Sequence, residues 1–351
     1  MITLSRDRDP LPVTARLKAP NMPKGEIAMS FSCRVFVSTT VSSGLVFKSA
    51  HSQPRQWPNR PVRIIIPYAP GGPVEIPGRF IAEHLSQRLG QPVIVETRPG
   101  AGGALGTKQV IAAQDDHTFL MITGAVAIQP AVQPDIGYDP LIDLLPVSLV
   151  SESSMCFAVR PNAQFQDLRG LIAAAKASPG KITYGTSGNG TTTHMAPALF
   201  GIRAGISWQH VPYRGAGQLI SGFLAGDVDV MSADVALMLP HIREGRANIL
   251  GVTAPKRLAI LPEVPSITEV APGTGIMIWF GICAARNMPE SNIARFVSEL
   301  EPLRSGSVLG QRMTASGSTL LLDGPQELAE RLRHELPLWR QVVAEAGIKP
   351  D

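Results

Sequence analysis

The chain has little cysteine. Of 351 residues only Cys33, Cys156 and Cys283 are cysteine. No C-x-x-C pair occurs, so a zinc site built on paired thiolates is excluded. The histidines, among them His117, His194, His210 and His241, form no H-x-x-x-H pair and no Cys/His cluster. No metal site is therefore expected. Strong charge is also missing: the formal net charge is +4, and no Lys/Arg cluster alternates with aromatics. Nucleic acid is excluded as a partner on that ground. After residue 52 no apolar run reaches the length of a membrane-spanning helix.

What is present is a composition of 44% hydrophobic and 17% charged residues, with 33 Gly and 31 Pro. That describes an α/β protein rich in turns, long enough for two core-bearing domains. Residues 1–28 are charged and Pro-interrupted without apolar periodicity, and read as a disordered upstream extension. From Met29 the character changes. A short region carrying Arg34 precedes the apolar stretch VFVSTTVSSGLVF, and Ala50 and Ser52 supply small residues one position apart. Residues 29–52 therefore read as a secretory signal cleaved after Ser52, with Met29 as the start; a disordered cytosolic tail is the alternative.

From Val62 onward strand and helix patterns alternate, which argues for parallel sheets with crossover helices. In VRIIIPYAPGG a β-branched run breaks at Pro-Gly-Gly, and a helical pattern starts near Ile76. Phe80, Ile81, Leu85 and Leu89 share one face of that helix, Pro77 is tolerated in its first turn, and Gly90 ends it. The first turn of such a helix offers unbonded N–H groups at the positive end of the macrodipole, and small residues let an anion approach them. ITYGTSGNGTTTH repeats the same logic ahead of a helix from about Thr192 to Gly201. The final helix places Leu328, Leu332, Leu336, Trp339, Val342 and Val343 on its core face. Two strand–helix series with two strand-like crossings predict two α/β lobes facing a cleft, a favoured small-molecule site.

Three motifs need weighing. GTSGNG (Gly185–Gly190) fails as a hydrolase nucleophile elbow because Asn189 stands where glycine is required. Ser187, Thr191 and Thr192 then read either as donors to an anion or as simple caps of the helix. GAGGALG (Gly100–Gly106) lacks the dinucleotide spacing and has no acid at the ribose position, so no cofactor is expected. Asp234 follows the strand pattern DVDVMS, where open α/β sheets bind ligands; it reads equally as a ligand contact or a helix cap.

Many ordered segments resemble the Bug-type receptors of tripartite tricarboxylate transporters. They include WPNRPVRIIIPYAPGG, LGQPVIVETRPGAGG, YDPLIDLLPVSLV, SPGKITYGTSGNGTTTH, HVPYRGAG, GDVDVMSAD, LPHIREGR, LGVTAPKRLAILPEVPSITE and the terminal AGIKPD, covering Trp57 to Asp351. The resemblance implies a type II periplasmic binding protein with lobe 1 over residues 57–157 plus 280–351 and lobe 2 over 158–279. It implies a monomeric, non-enzymatic receptor that holds a small carboxylated solute and delivers it to membrane permease subunits or a sensor. The implied ligand-binding residues are Tyr68, Ala69, Gly71, Gly72 and Glu75 in the first loop, and Ser187, Gly190, Thr191 and Thr192 in the second. His194, Tyr213 and Asp234 stand nearby. An enzyme of small carboxylic acids, or a degenerate non-binding relative, is the alternative.

The chain departs from the family pattern at Glu75 (usually aspartate), Pro77-Gly78, Thr97, Asp116 and His117. The extra methylene of Glu75 is expected to extend an anionic head into the cleft mouth. A ligand with a carboxylate at one end and a hydrogen-bond donor near Glu75 follows, such as an amino or hydroxy acid. Cys156 and Cys283 each fall in a strand at a lobe crossing. They either form a disulfide across the hinge or stand as two buried thiols, and the second reading is taken.

Overall fold

The structure, a computed structural model, describes residues 57–350. The expected extension over 1–28 and signal over 29–52 lie outside the described residues. The first lobe opens with β1 (Val62–Ile66), α1 (Glu75–Leu89), β2 (Val93–Thr97), α2 (Ala104–Ala113), β3 (Thr118–Thr123) and α3 (Ala125–Val132). β1 lies between β2 and β3 and is parallel to both. Runs such as VRIII and TFLMIT form these strands because β-branched and aromatic side chains suit a sheet buried on both faces. Every residue of β3 is buried.

α1 explains two of the departures. Pro77 falls in its first turn, where no intrahelical N–H bond is lost. A Cβ on Gly78 would lie 3.1 Å from Ile66 Cδ1, so glycine there lets the helix pack close on β1. Pro77, Gly78, Ile81, Ala82 and Leu85 form its buried face, with Phe80 and Leu89 partly buried against the same core. Gly90 closes the helix in the left-handed conformation.

The lobes share a strand. β4 (Leu144–Val159) is far longer than the segment MCFAVRP suggests, because its first part is rich in serine and contains Pro146 at a register shift. Leu144–Ser154 pair antiparallel with β9 (Met277–Ala285), while Met155–Val159 pair with β7 (Val230–Asp234). The second lobe is completed by α4 (Leu168–Ala177), β5 (Thr183–Thr186), α5 (Thr192–Ala204), β6 (Gln209–Pro212), α6 (Ala216–Ala225), α7 (Val235–Arg243) and β8 (Asn248–Val252). The chain then returns through β9 to α8 (Glu290–Leu300), α9 (Val308–Ala315), β10 (Ser318–Asp323) and α10 (Pro325–Ala346). β9 pairs with β3, and β10 with β4, both antiparallel. The strand order is β2-β1-β3-β9-β4-β7-β5-β6.

The first lobe has one core, and the second has one on each face of its sheet. The expected face of α10 is buried at all six positions. Met195, Ala196 and Leu199 of α5 join the first lobe's core, whereas Phe200 of the same helix joins the second. α5 therefore straddles the two lobes. Cys156 and Cys283 are free and buried. Their expected adjacency fails on register: Cys283 lies opposite Pro146, while Cys156, further along the same β4, faces Ala233 and Val252. At about 3.3 Å per residue the two sulfurs are roughly 30 Å apart, which excludes a bridge.

Candidate functional site

Between the lobes lies a cavity of about 660 Å³. Its first wall is the loop from β1 to α1. Tyr68, Ala69 and Gly72 line it, and Gly71, in the left-handed region (φ +82°), makes the turn. The Tyr68 hydroxyl accepts from the Thr123 backbone N–H (3.3 Å) and the Thr123 hydroxyl (2.9 Å). Burial pushes its pKa up to about 12, so it stays a neutral phenol.

Glu75 does not line the cavity, contrary to the expectation that its anionic head enters the cleft. Its carboxylate folds back one turn, accepting the Gly71 N–H at 2.7 Å and the Arg79 Nε–H at 2.6 Å. The bond from Gly71, ahead of Arg79, holds the Glu75 carboxyl below its ordinary pKa. The longer side chain thus braces the glycine turn, and a ligand donor at Glu75 has no basis.

The glycine-rich turn ahead of α2, set aside as a cofactor motif, supplies more of this wall through Gly100, Ala101, Gly102 and Gly103. Close approach dictates its glycines. A Cβ on Gly103 would lie 3.0 Å from Tyr68 Cε1, and one on Gly102 would overlap the Gln129 amide.

The second wall is the loop from β5 to α5. Ser187, Thr191, Thr192 and Thr193 all line the cavity. Thr193 Oγ1 takes the Ser187 N–H at 3.1 Å and lies 2.8 Å from the hydroxyls of both Ser187 and Thr191. Thr191 is the N-cap residue of α5, but its hydroxyl donates to Gly188 O at 2.8 Å, and no side chain caps the helix. The Thr192 hydroxyl is buried without a protein partner. The capping reading of this loop is not what the geometry delivers. Its open helix end faces the Tyr68 loop with N–H groups and hydroxyls, an arrangement suited to an anion.

Gly190 and His194 stand behind this wall. The Gly190 N–H donates to His194 Nδ1 at 3.3 Å, and its carbonyl accepts from Gln129 Nε2 at 3.1 Å. Gln129 also donates to Asn189 O at 3.1 Å, so a side chain of α3 holds the second loop from the first lobe. His194 stacks on His210 with ring centroids 3.6 Å apart and planes 8° apart. Burial, then His210, lowers the pKa of His194 to about 3, so it is neutral.

The floor comes from β7, α7 and β9. Asp234 lines it together with Ala233, Leu237, Ile278 and Phe280, and Tyr213 and Gly215 close one side. Asp234 caps α7 through the Ala236 N–H at 2.8 Å and also accepts from Ser153 Oγ. The helix-cap reading of this residue holds, and the same side chain lies at the cavity wall. Burial, opposed by those two bonds, raises its pKa to about 6. Thr123, Gln129, Leu237, Ile278 and Phe280 carried no sequence signal beyond ordinary apolar or helical pattern. The turn at Gly100–Gly103 did carry one, since a third glycine loop after a strand repeats the logic of the other two.

Residues 78–313 match the model described as "Tripartite tricarboxylate transporter family receptor". The chain belongs to that family. The protein BugT of Bordetella pertussis is 30% identical over 301 residues, covering 84% of this chain and 91% of that protein. An R. palustris protein solved with adipate has a TM-score of 0.79 at 27% identity, covering 84% of this chain and 100% of that one. MatC of Rhodopseudomonas palustris, solved with bound malate, has a TM-score of 0.76 at 27% identity, covering 82% and 99%. The architecture shared with those structures is two α/β lobes around a cleft. Among the described residues, no group of three His, Cys, Asp or Glu could hold a metal ion, and no helix is long and apolar enough to cross a membrane.

Proposed function

We propose that this receptor captures a small carboxylated solute between its lobes, outside the cytoplasm, and presents it to permease subunits of a tripartite transporter or to a sensor. The observation that carries the reading is the uncapped N-terminus of α5, whose Thr191–Thr193 face the cavity opposite Tyr68 and the glycine loops. A carboxylate there takes N–H and O–H donors from the second lobe while the first lobe covers it. Closure follows from contacts that only the closed state makes on both sides. The site consists of Tyr68, Ala69, Gly72, Ser187, Thr191, Thr192, Tyr213 and Asp234, with Gly71, Glu75, Gly190 and His194 as its supports. Strand pairing favours a lobe division near Ser154–Met155 in β4 and ahead of Met277. Among the described residues no nucleophile with an orienting base lines the cavity, which supports binding without turnover.

The ligands of the adipate- and malate-bound relatives support a carboxylated solute. Titration calorimetry over mono-, di- and tricarboxylates and amino acids should give saturable binding at one site and no product. Ser187→Ala should weaken it roughly tenfold, the worth of one hydrogen bond to a charged group. Absence of heat and of thermal shift across the panel, or conversion of a bound acid, would sink the reading. Export through residues 29–52 predicts a mature N-terminus at Gln53, checked by N-terminal sequencing of protein from the cell envelope.

A further inference from the structure

The inner cleft has an acid but no buried base. The ionisable residues lining the cavity are Tyr68, Tyr213, Arg214 and Asp234, and Arg214 is exposed. A solute held by one carboxylate at α5 therefore meets apolar side chains (Leu219, Leu237, Ile278 and Phe280) and one further carboxyl group, that of Asp234. Asp234 is 2% exposed. Its Oδ1 takes the Ala236 N–H and its Oδ2 the Ser153 hydroxyl. An ionised carboxylate has about four acceptor positions, so two are left for a guest.

The groups around Asp234 are neutral. On β4 they are Ser153 and Cys156, whose thiol is pushed up by burial and by Asp234 itself. On α7 they are Val235 and Ala236, and on β9 Ile278 and Phe280. No Lys, Arg or His takes part in setting its pKa.

Resting on the receptor reading above, we propose that Asp234 sets the solute class: the far end of the bound carboxylate must present a hydrogen-bond donor, an alcohol or an ammonium, and a second carboxylate is rejected there. Two carboxylates on an apolar floor repel with little water to screen them, and neither can donate. A donor instead fills an acceptor that is otherwise left unpaired on ligand binding. Selection of this kind, by a buried polar group that needs a partner, is far stronger than selection by one more or one fewer methylene. A simple tricarboxylate fits worst, since two of its three charges would lie away from the donors at the N-terminus of α5.

The test is calorimetry with straight-chain acids of four, five and six carbons, each ending in methyl, hydroxyl, ammonium or carboxylate. At least one hydroxyl- or ammonium-ended acid should bind about tenfold or more tightly than its matched dicarboxylate. Asp234→Asn and Asp234→Ser both keep a capping side chain for α7, so the fold should persist, as a melting curve would show. In both variants the preference for ammonium over carboxylate should collapse. Affinity for the ammonium-ended acid should fall as pH drops below about 6, where Asp234 takes up a proton. A dicarboxylate that binds as tightly as its donor-ended partners, or a preference that survives both substitutions, overturns the assignment while leaving the receptor reading intact. Binding of none of these acids, nor of any in the wider panel, overturns both.

Discussion

His194 is a neutral imidazole held between a backbone N–H and a second imidazole. Gly190 donates to its Nδ1, His210 stacks on its face, and Tyr184 lies tilted beyond, 6.3 Å away. A proton on Nδ1 would break the bond from Gly190 and set a buried charge against its neighbours. Folding therefore lowers its pKa from 6.5 to about 3. A histidine depressed on folding contributes stability that is complete above about pH 6.5 and is lost as pH falls toward 3. Asp234 acts in the opposite sense, because its folded pKa is raised: its contribution is lost as pH rises from 3.8 through about 6. Comparing wild type with His194→Gln in urea unfolding across this range isolates the histidine. The difference should shrink with acidification at up to about 1.4 kcal/mol per pH unit. Parallel stability curves would mean that His194 does not titrate on folding. The same region shows what a residue list misses. Glu75 and His194 belong to the segments that build the site, yet one braces a turn and the other supports a loop from behind, because side-chain direction is not legible in a motif.

At the scale of elements, the strand–loop–helix units were legible because β-branched runs, glycine breaks and amphipathic helices each leave a local pattern. The first part of β4 was not, because its serines look like a linker until β9 and β10 flank them. Nor was the straddling position of α5, whose core contacts come from both lobes and not from its own neighbours in sequence. The loop between β6 and α6 yields a prediction of this kind. Gly215 has φ +97°, and a Cβ there would lie 3.1 Å from Ala69 Cβ, across the cavity. Its N–H also donates to Ser187 O at 3.2 Å. Gly215→Ala adds about 1–3 kcal/mol of backbone strain and wedges the two loops apart. Ligand affinity should fall tenfold or more by calorimetry. Gly217→Ala is the control: nothing lies within 4 Å of its added Cβ, and affinity should not change. Equal behaviour of the two variants would show that the Ala69–Gly215 contact plays no part in closure.

For the whole molecule, the closure proposed above would bend β4 and β9, the strands that join the lobes, beside the packing of α5 on α10 and the bonds from Gln129. No covalent bridge limits that motion, since Cys156 and Cys283 are separate buried thiols, both pushed up by burial. Reductant should leave the melting temperature unchanged. Peptide mapping after brief alkylation should find Cys156 and Cys283 modified only once the chain unfolds. Rapid labelling of either in the folded protein would contradict their burial.

The pairing of β3 with β9 also has a consequence for how the chain is made. β3 ends at Thr123, and the strand that covers its free edge begins only at Met277, after the entire second lobe has been read out. A newly emerging chain thus carries a strand that is buried along its whole length in the fold, TFLMIT, with an unpaired edge while the next about 150 residues are made. Such an edge is a template for aggregation, and the first lobe cannot complete its sheet by folding early. The order of the strands thus makes the last fifth of the chain, from Met277 on, the part that closes this edge.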